Sequence, residues 1–157
     1  MKPKFTVILL GSDFNVYGMA RSLYEKYGRS VKAYAQTQFA PTRFTKIVNL
    51  TLIPGFASDP VWIQSMRKLK RKYAKHSEPV ILIGCSDGYA ELISKHKDEL
   101  SDVFECPYVN YHEIKRLNGK ENFYHVCDKY HLPYPKTRII TRKMYESHEP
   151  IEQPFGY

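Results

Sequence analysis

Apolar positions in this chain fall into short unbroken runs, each followed by a stripe at helical spacing. The first run is Phe5, Val7, Ile8, Leu9 and Leu10, rich in strand formers. Such a run predicts a strand buried on both faces, the centre of a parallel sheet. It breaks at Gly11, and Ser12, Asp13 and Asn15 follow, all good helix N-caps. Val16, Met19, Ala20, Leu23 and Tyr27 then recur at helical spacing until Gly28, which stands where a glycine past the last turn ends a helix. Residues 31–35 predict a second strand. Residues 36–43 read as a polar loop from which Pro41 excludes regular structure. Residues 47–53 predict a third strand, closed by Pro54-Gly55. Ser58 or Asp59 caps the next helix, with Pro60 early in it and Trp62, Met66, Leu69 and Tyr73 as its stripe. Residues 80–83, all apolar, predict a fourth strand.

That strand leads into Gly84-Cys85-Ser86-Asp87-Gly88, with Leu92, Ile93 and His96 continuing a helical face. The phrases GSDFNVYG and GCSDGY both place Gly, Ser and Asp just after a buried strand. Each is also readable as an ordinary helix cap. Two such loops from parallel strands would flank one crevice, and in open α/β sheets ligands bind there. The helix N-termini in such a place favour an anion. The spacing excludes a standard dinucleotide loop, because Gly11 is followed only by the distant Gly18. Strands alternating with helices predict right-handed βαβ units: an α/β, Rossmann-like parallel sheet with helices on both faces. Residues 104–109, interrupted by Pro107, read as a short strand or a loop.

The pattern changes near Tyr111. Residues 112–117 predict a short helix broken at Asn118-Gly119, and a second helix follows with Phe123, Val126, Cys127 and Tyr130 as its stripe. Leu132-Pro133-Tyr134-Pro135 forces an extended linker, since each proline disfavours helix in itself and its predecessor. Residues 137–141 read as strand, 142–147 as helix, and Glu149-Pro150 as a break. The last segment has few apolar residues and reads as the start of a domain that continues beyond Tyr157.

Charge and cysteines narrow the partners. A formal charge of +8 over 157 residues suits an anionic ligand or partner. Its densest run, Arg67 to Lys75, keeps its apolar stripe and reads first as an amphipathic helix with a solvated cationic face. No module signature for RNA or DNA accompanies it, so nucleic acid is not the expected partner; contact with an anionic membrane or polyanionic precursor stays open. Cys85, Cys106 and Cys127 lack metal spacing and read as reduced thiols of a cytoplasmic protein. Cys85 has no evident base and reads as a packing residue. No run approaches a membrane span or a signal h-region, so an integral membrane protein is not expected. The 13 tyrosines serve core edges, interfaces and stacking alike.

Residues 119–137, GKENFYHVCDKYHLPYPKT, resemble the start of the ATP-binding region of ATP-grasp ligases: a lysine, a phenylalanine three on, then a helix ending in a proline-x-proline-x-threonine linker. The parallel α/β region before it is similar to that family's amino-terminal, pre-ATP-grasp domain. LLGSDFNVYGMARS, APTRFTKIVN, GYAELISKHKDELS and LPYPKT carry the likeness through to about Tyr145. It is nearest to the carboxylate–amine ligases that join D-aspartate to the lysine side chain of a peptidoglycan precursor. The resemblance implies residues 1–111 as a pre-ATP-grasp domain, 112–136 as connecting helices and linker, and 137–157 as the beginning of an ATP-grasp domain. It implies ATP and Mg²⁺ as cofactors, an amino acid and a peptidoglycan precursor as substrates, and room for a homo-oligomer. Lys120 matches the lysine that reaches ATP phosphate. Gly11, Ser12, Asp13, Asn15, Gly84, Ser86 and Asp87 would face the carboxylate or acyl-phosphate end of the crevice, with Arg43 a carboxylate clamp. The acidic Mg²⁺ ligands lie past Tyr157 in such ligases, so residues 1–157 are expected to be inactive alone. The rival expectations are a stand-alone Rossmann-like module binding a small anion or nucleotide, and a nucleic-acid binder using the basic helix.

Overall fold

The computed structural model describes residues 4–147. They divide into two compact units, one ending at Ile114 and the other beginning at Lys115. The first holds a five-stranded all-parallel sheet in the order β3-β2-β1-β4-β5, formed by β1 (Thr6–Leu10), β2 (Val31–Ala35), β3 (Val48–Leu52), β4 (Val80–Gly84) and β5 (Phe104–Glu105). The first apolar run is the central strand. Helices α1 (Phe14–Tyr27), α2 (Ala40–Arg43), α3 (Asp59–Tyr73), α4 (Asp87–Lys95) and α5 (Lys97–Leu100) connect the strands.

Alternation along β1 divides the core. Ile8 and Leu10 pack with Phe56, Trp62, Met66, Leu69, Tyr73 and Ile93, under α3 and α4. Val7 and Leu9 pack with Val16 and Ala20 of α1 on the other face. Each fully buried aliphatic side chain contributes roughly 1.5–3 kcal/mol of transfer free energy. Helices therefore cover both faces, as a Rossmann-like α/β sheet requires.

Local chemistry sets the element ends. The Asp13 carboxylate accepts from the amides of Asn15 and Val16, and Gly28 ends α1 in the left-handed region. Pro41 does not exclude regular structure: it sits in the first turn of α2, where its missing N–H costs nothing. Ser58, not Asp59, stands at the N-cap of α3, although its hydroxyl donates back to the Gly55 carbonyl at 2.8 Å.

Helix α6 (Tyr111–Asn118) spans the boundary between the units. In the second unit α7 (Lys120–Lys129) ends with His131 in the left-handed conformation, φ 54°, while the Leu132 amide reaches back to the Cys127 carbonyl at 2.8 Å. This is a Schellman ending with histidine in the usual glycine position. Of the expected stripe only Cys127 is buried, whereas Phe123 and Tyr130 are exposed. Residues 137–141 are not a strand: among the described residues no neighbouring strand supplies the ladder partners they need. Tyr134 donates to Asp128 at 2.6 Å and packs on Tyr124, fastening the proline-rich segment to α7. Helix α8 (Arg142–Glu146) starts at Thr141, whose hydroxyl accepts from the Met144 amide. The expected break at Glu149-Pro150 and the final residues lie outside the described residues. No described helix is long and apolar enough to cross a membrane.

Candidate functional site

The register of the two central strands builds the site. Leu10 and Gly84 are ladder partners, so β1 and β4 end at one level and their following loops leave side by side. The ladder continues one step into the loops: the Gly11 amide donates to the Tyr34 carbonyl and the Cys85 amide to the Leu10 carbonyl, each at 2.9 Å. Both glycines are required. Gly11 has φ +125°, a conformation L side chains rarely adopt. At Gly84 an added Cβ would lie 2.6 Å from the Ala90 amide nitrogen, so α4 can approach β4 only because this side chain is absent.

Hydrogen bonds hold the two loops together and anchor them to a third. Asn15 Nδ2 donates to the Cys85 carbonyl at 3.1 Å, joining the start of α1 to the β4 loop. Buried Ser12 donates to the Thr37 carbonyl at 2.5 Å, and Thr42 donates to the Ser12 carbonyl at 2.8 Å. Tyr108 closes the end of β4, accepting from the Gly84 amide at 2.8 Å and donating to its carbonyl at 3.2 Å.

Two hollows result. One, of about 250 Å³, lies among Gly11, Ser12, Asp13, Gln36, Ser86 and Tyr89. The other, of about 380 Å³ and more open, lies among Asn15, Met19, Gly84, Cys85, Ser86 and Asp87. Ser86 lines both. Of the expected substrate residues, the structure gathers Gly11, Ser12, Asp13, Asn15, Gly84, Ser86 and Asp87 around these hollows. Arg43 ends α2 exposed, its guanidinium 5.7 Å from the Phe44 ring, and lines neither. Lys120 is the exposed first residue of α7 in the second unit. Gln36, Thr37 and Tyr89 escaped the sequence reading. The signal for the first two was their position directly after a parallel strand, the same criterion that singled out Gly11 and Gly84.

The electrostatics are those of a mixed site. Among the described residues the charged side chains lining the hollows are Asp13 and Asp87, and no cationic side chain lines either. Against these carboxylates stand the positive dipole ends of α1 and α4, whose amides at Asn15, Val16 and Tyr89 are already capped by Asp13 and Ser86. A zwitterion fits such a pairing, its ammonium toward a carboxylate and its carboxylate toward a helix N-terminus. Cys85 is no nucleophile here: burial first, then the Asp13 charge, push its thiol up to about 12. Burial likewise raises the Tyr89 phenol, opposed by its hydrogen bond to the Gln36 backbone.

A further cavity of about 310 Å³ lies at the opposite ends of β1 and β2, among Phe5, Thr6, Leu23, Tyr27, Arg29 and Ser30. Its guanidinium is already engaged, by the Phe5 carbonyl at 2.8 Å and by Glu78 at 3.7 Å. No group of three or more His, Cys, Asp or Glu among the described residues could hold a metal ion.

No family model matches the chain. Among curated proteins it is similar to the D-aspartate ligase of Enterococcus faecium (strain Aus0004), 54% identical over 156 residues that make up 98% of this chain and 37% of that protein.

Proposed function

We propose that this chain is the amino-terminal part of an ATP-dependent carboxylate–amine ligase that joins D-aspartate to the lysine side chain of a peptidoglycan precursor. The observation that carries the reading is the 54% identity to a D-aspartate ligase along 98% of the chain. The zwitterion-sized crevice between two helix N-termini agrees with it.

In this reading a carboxylate oxygen of D-aspartate attacks the γ-phosphorus of ATP, releasing ADP and forming an acyl phosphate. The lysine amine then attacks the acyl carbon, phosphate leaves, and an amide remains. The chain's own contribution is positioning. Asp13 and Asp87 orient an ammonium group, while the positive dipole ends of α1 and α4 favour a carboxylate. Lys120 would reach ATP phosphate as a point charge. Neither hollow offers ATP phosphates a cationic side chain, and the described residues offer Mg²⁺ no ligand cluster.

The test uses the protein as its native gene produces it, with MgATP, D-aspartate and a lysine-containing cell-wall precursor. D-aspartate-dependent phosphate release, with a precursor mass gain of one aspartyl residue, is the expected result. Release that is indifferent to D-aspartate, or equal with L-aspartate, would overturn the substrate assignment. Residues 1–157 alone should release no phosphate.

A further inference from the structure

Helix α3 carries two kinds of cation, and the structure separates them. Arg67 and Lys70 turn toward α5 and the turn after it. Arg67 forks onto Glu99 at 2.6 and 3.0 Å, and Lys70 pairs with Asp102 at 2.8 Å while donating to the Glu99 carbonyl. Lys95 and His96 similarly meet Asp59 at the start of α3, His96 at 2.6 Å. The acids facing this helix are thus taken up on one side.

Lys68, Arg71 and Lys72, with Lys75 in the turn that follows, are all exposed. None has an ion-pair partner among the described residues. Arg71, Lys72 and Lys75 follow Lys68 by three, four and seven positions, so the four form one row on the side away from the core stripe Trp62, Met66, Leu69 and Tyr73. Like charges at such spacing repel one another by a few tenths of a kcal/mol per pair, roughly. The row stands on the outer side of a helix and lines none of the cavities described above. It cannot enclose a small anion; it can only lie against an extended one.

We propose that this row docks the protein on a bilayer surface bearing anionic phospholipid headgroups. Lysines predominate in the row, acting as point charges without the fork that reads phosphate geometry. Tyr73 is buried and turned to the core, and the exposed ring beside the row, His76, already stacks on Tyr73 at 5.4 Å, so no row of aromatic faces accompanies the cations as a base-stacking groove would need. Docking here leaves the crevice loops, at the carboxyl ends of β1 and β4, unused. The proposal stands whether or not the ligase reading holds.

The experiment is co-sedimentation of the protein with vesicles of phosphatidylcholine alone and of phosphatidylcholine with phosphatidylglycerol. Binding is expected only to the anionic vesicles, and it should fall as salt rises. Lys68→Gln with Lys72→Gln should lower partitioning about 25-fold, near fivefold per charge. Lys26→Gln with Lys46→Gln removes the same formal charge outside α3 and should change it less than about fivefold. These are exposed substitutions, and an unchanged melting temperature verifies that the fold survives. Equal loss in the two variants, or no binding to anionic vesicles at low salt, overturns the proposal. So does row-dependent binding to oligonucleotides without binding to vesicles.

Discussion

The two strand-to-helix junctions look alike in sequence and are built differently. After β1, Asp13 is the cap: its carboxylate accepts two amides, and Ser12 is buried to fasten the loop to Thr37. After β4 the same Ser-Asp pair moves one step in role. Ser86 is the cap, with a longer contact of 3.4 Å to the Tyr89 amide, and Asp87 becomes an exposed first-turn residue. The glycines differ as well: Gly11 answers a backbone angle, Gly84 a close approach of α4. The first junction is held by its side chains and the second by packing. Similar phrases can therefore reach one crevice by separate physical routes.

That contrast can be broken in order of expected effect. Gly84→Ala presses a Cβ against backbone and should cost about 3 kcal/mol in urea unfolding. Gly11→Ala strains the backbone at one residue and brings its Cβ to 3.2 Å from the Val16 side chain, and should cost about 2 kcal/mol. If Gly11→Ala proves the worse, packing is not what holds the second junction. The caps sharpen the point on a smaller scale. Asp13→Ala should lose about 1 kcal/mol and Ser86→Ala about 0.5 kcal/mol, and equal losses would erase the distinction.

The smallest effect joins the two loops through Cys85. Burial keeps its thiol protonated to about 12, so alkylation at this residue, followed by mass spectrometry, should stay slow at neutral pH and climb with pH. The sign for stability follows. Above the ordinary thiol range the unfolded chain ionises Cys85 while the folded one does not, so stability declines as pH rises and levels off near 12. Asp13→Asn removes the lesser of the two causes raising this value and should speed alkylation modestly. A large acceleration would mean that charge, not burial, governs the thiol.

Much of this was legible because the decisive signals are local. The apolar runs at β1 and β4, the cap residues before α1 and the amphipathic stripe of α3 each state their element without outside help. Pro41 misled because the same residue forbids a helix interior and favours a first turn, and only the Phe39 N-cap position shows which applies. Residues 137–141 misled because β-forming composition does not make a ladder. The crevice was legible where glycine and cap residues announced it. Tyr108 was hidden because it reaches the end of β4 from 24 residues later in the chain, while Tyr89, though inside the phrase GCSDGY, carries no local signal that its ring turns into the hollow.

The order of the strands has one more consequence, for the sequence in which the fold loosens. β5 pairs through two residues and β3 borders the sheet with one neighbour, whereas β1 pairs with β4 over Thr6–Leu10 and with β2 over Ile8–Leu10. Transient opening proceeds from weakly held borders inward, so backbone amides of β1 are the last to exchange with solvent. The crevice hangs from β1 and β4. Fraying at the margins therefore spares the strand ends that carry the two loops, and what it releases first are the outer fastenings, Tyr108 after β5 and Thr42 before β3.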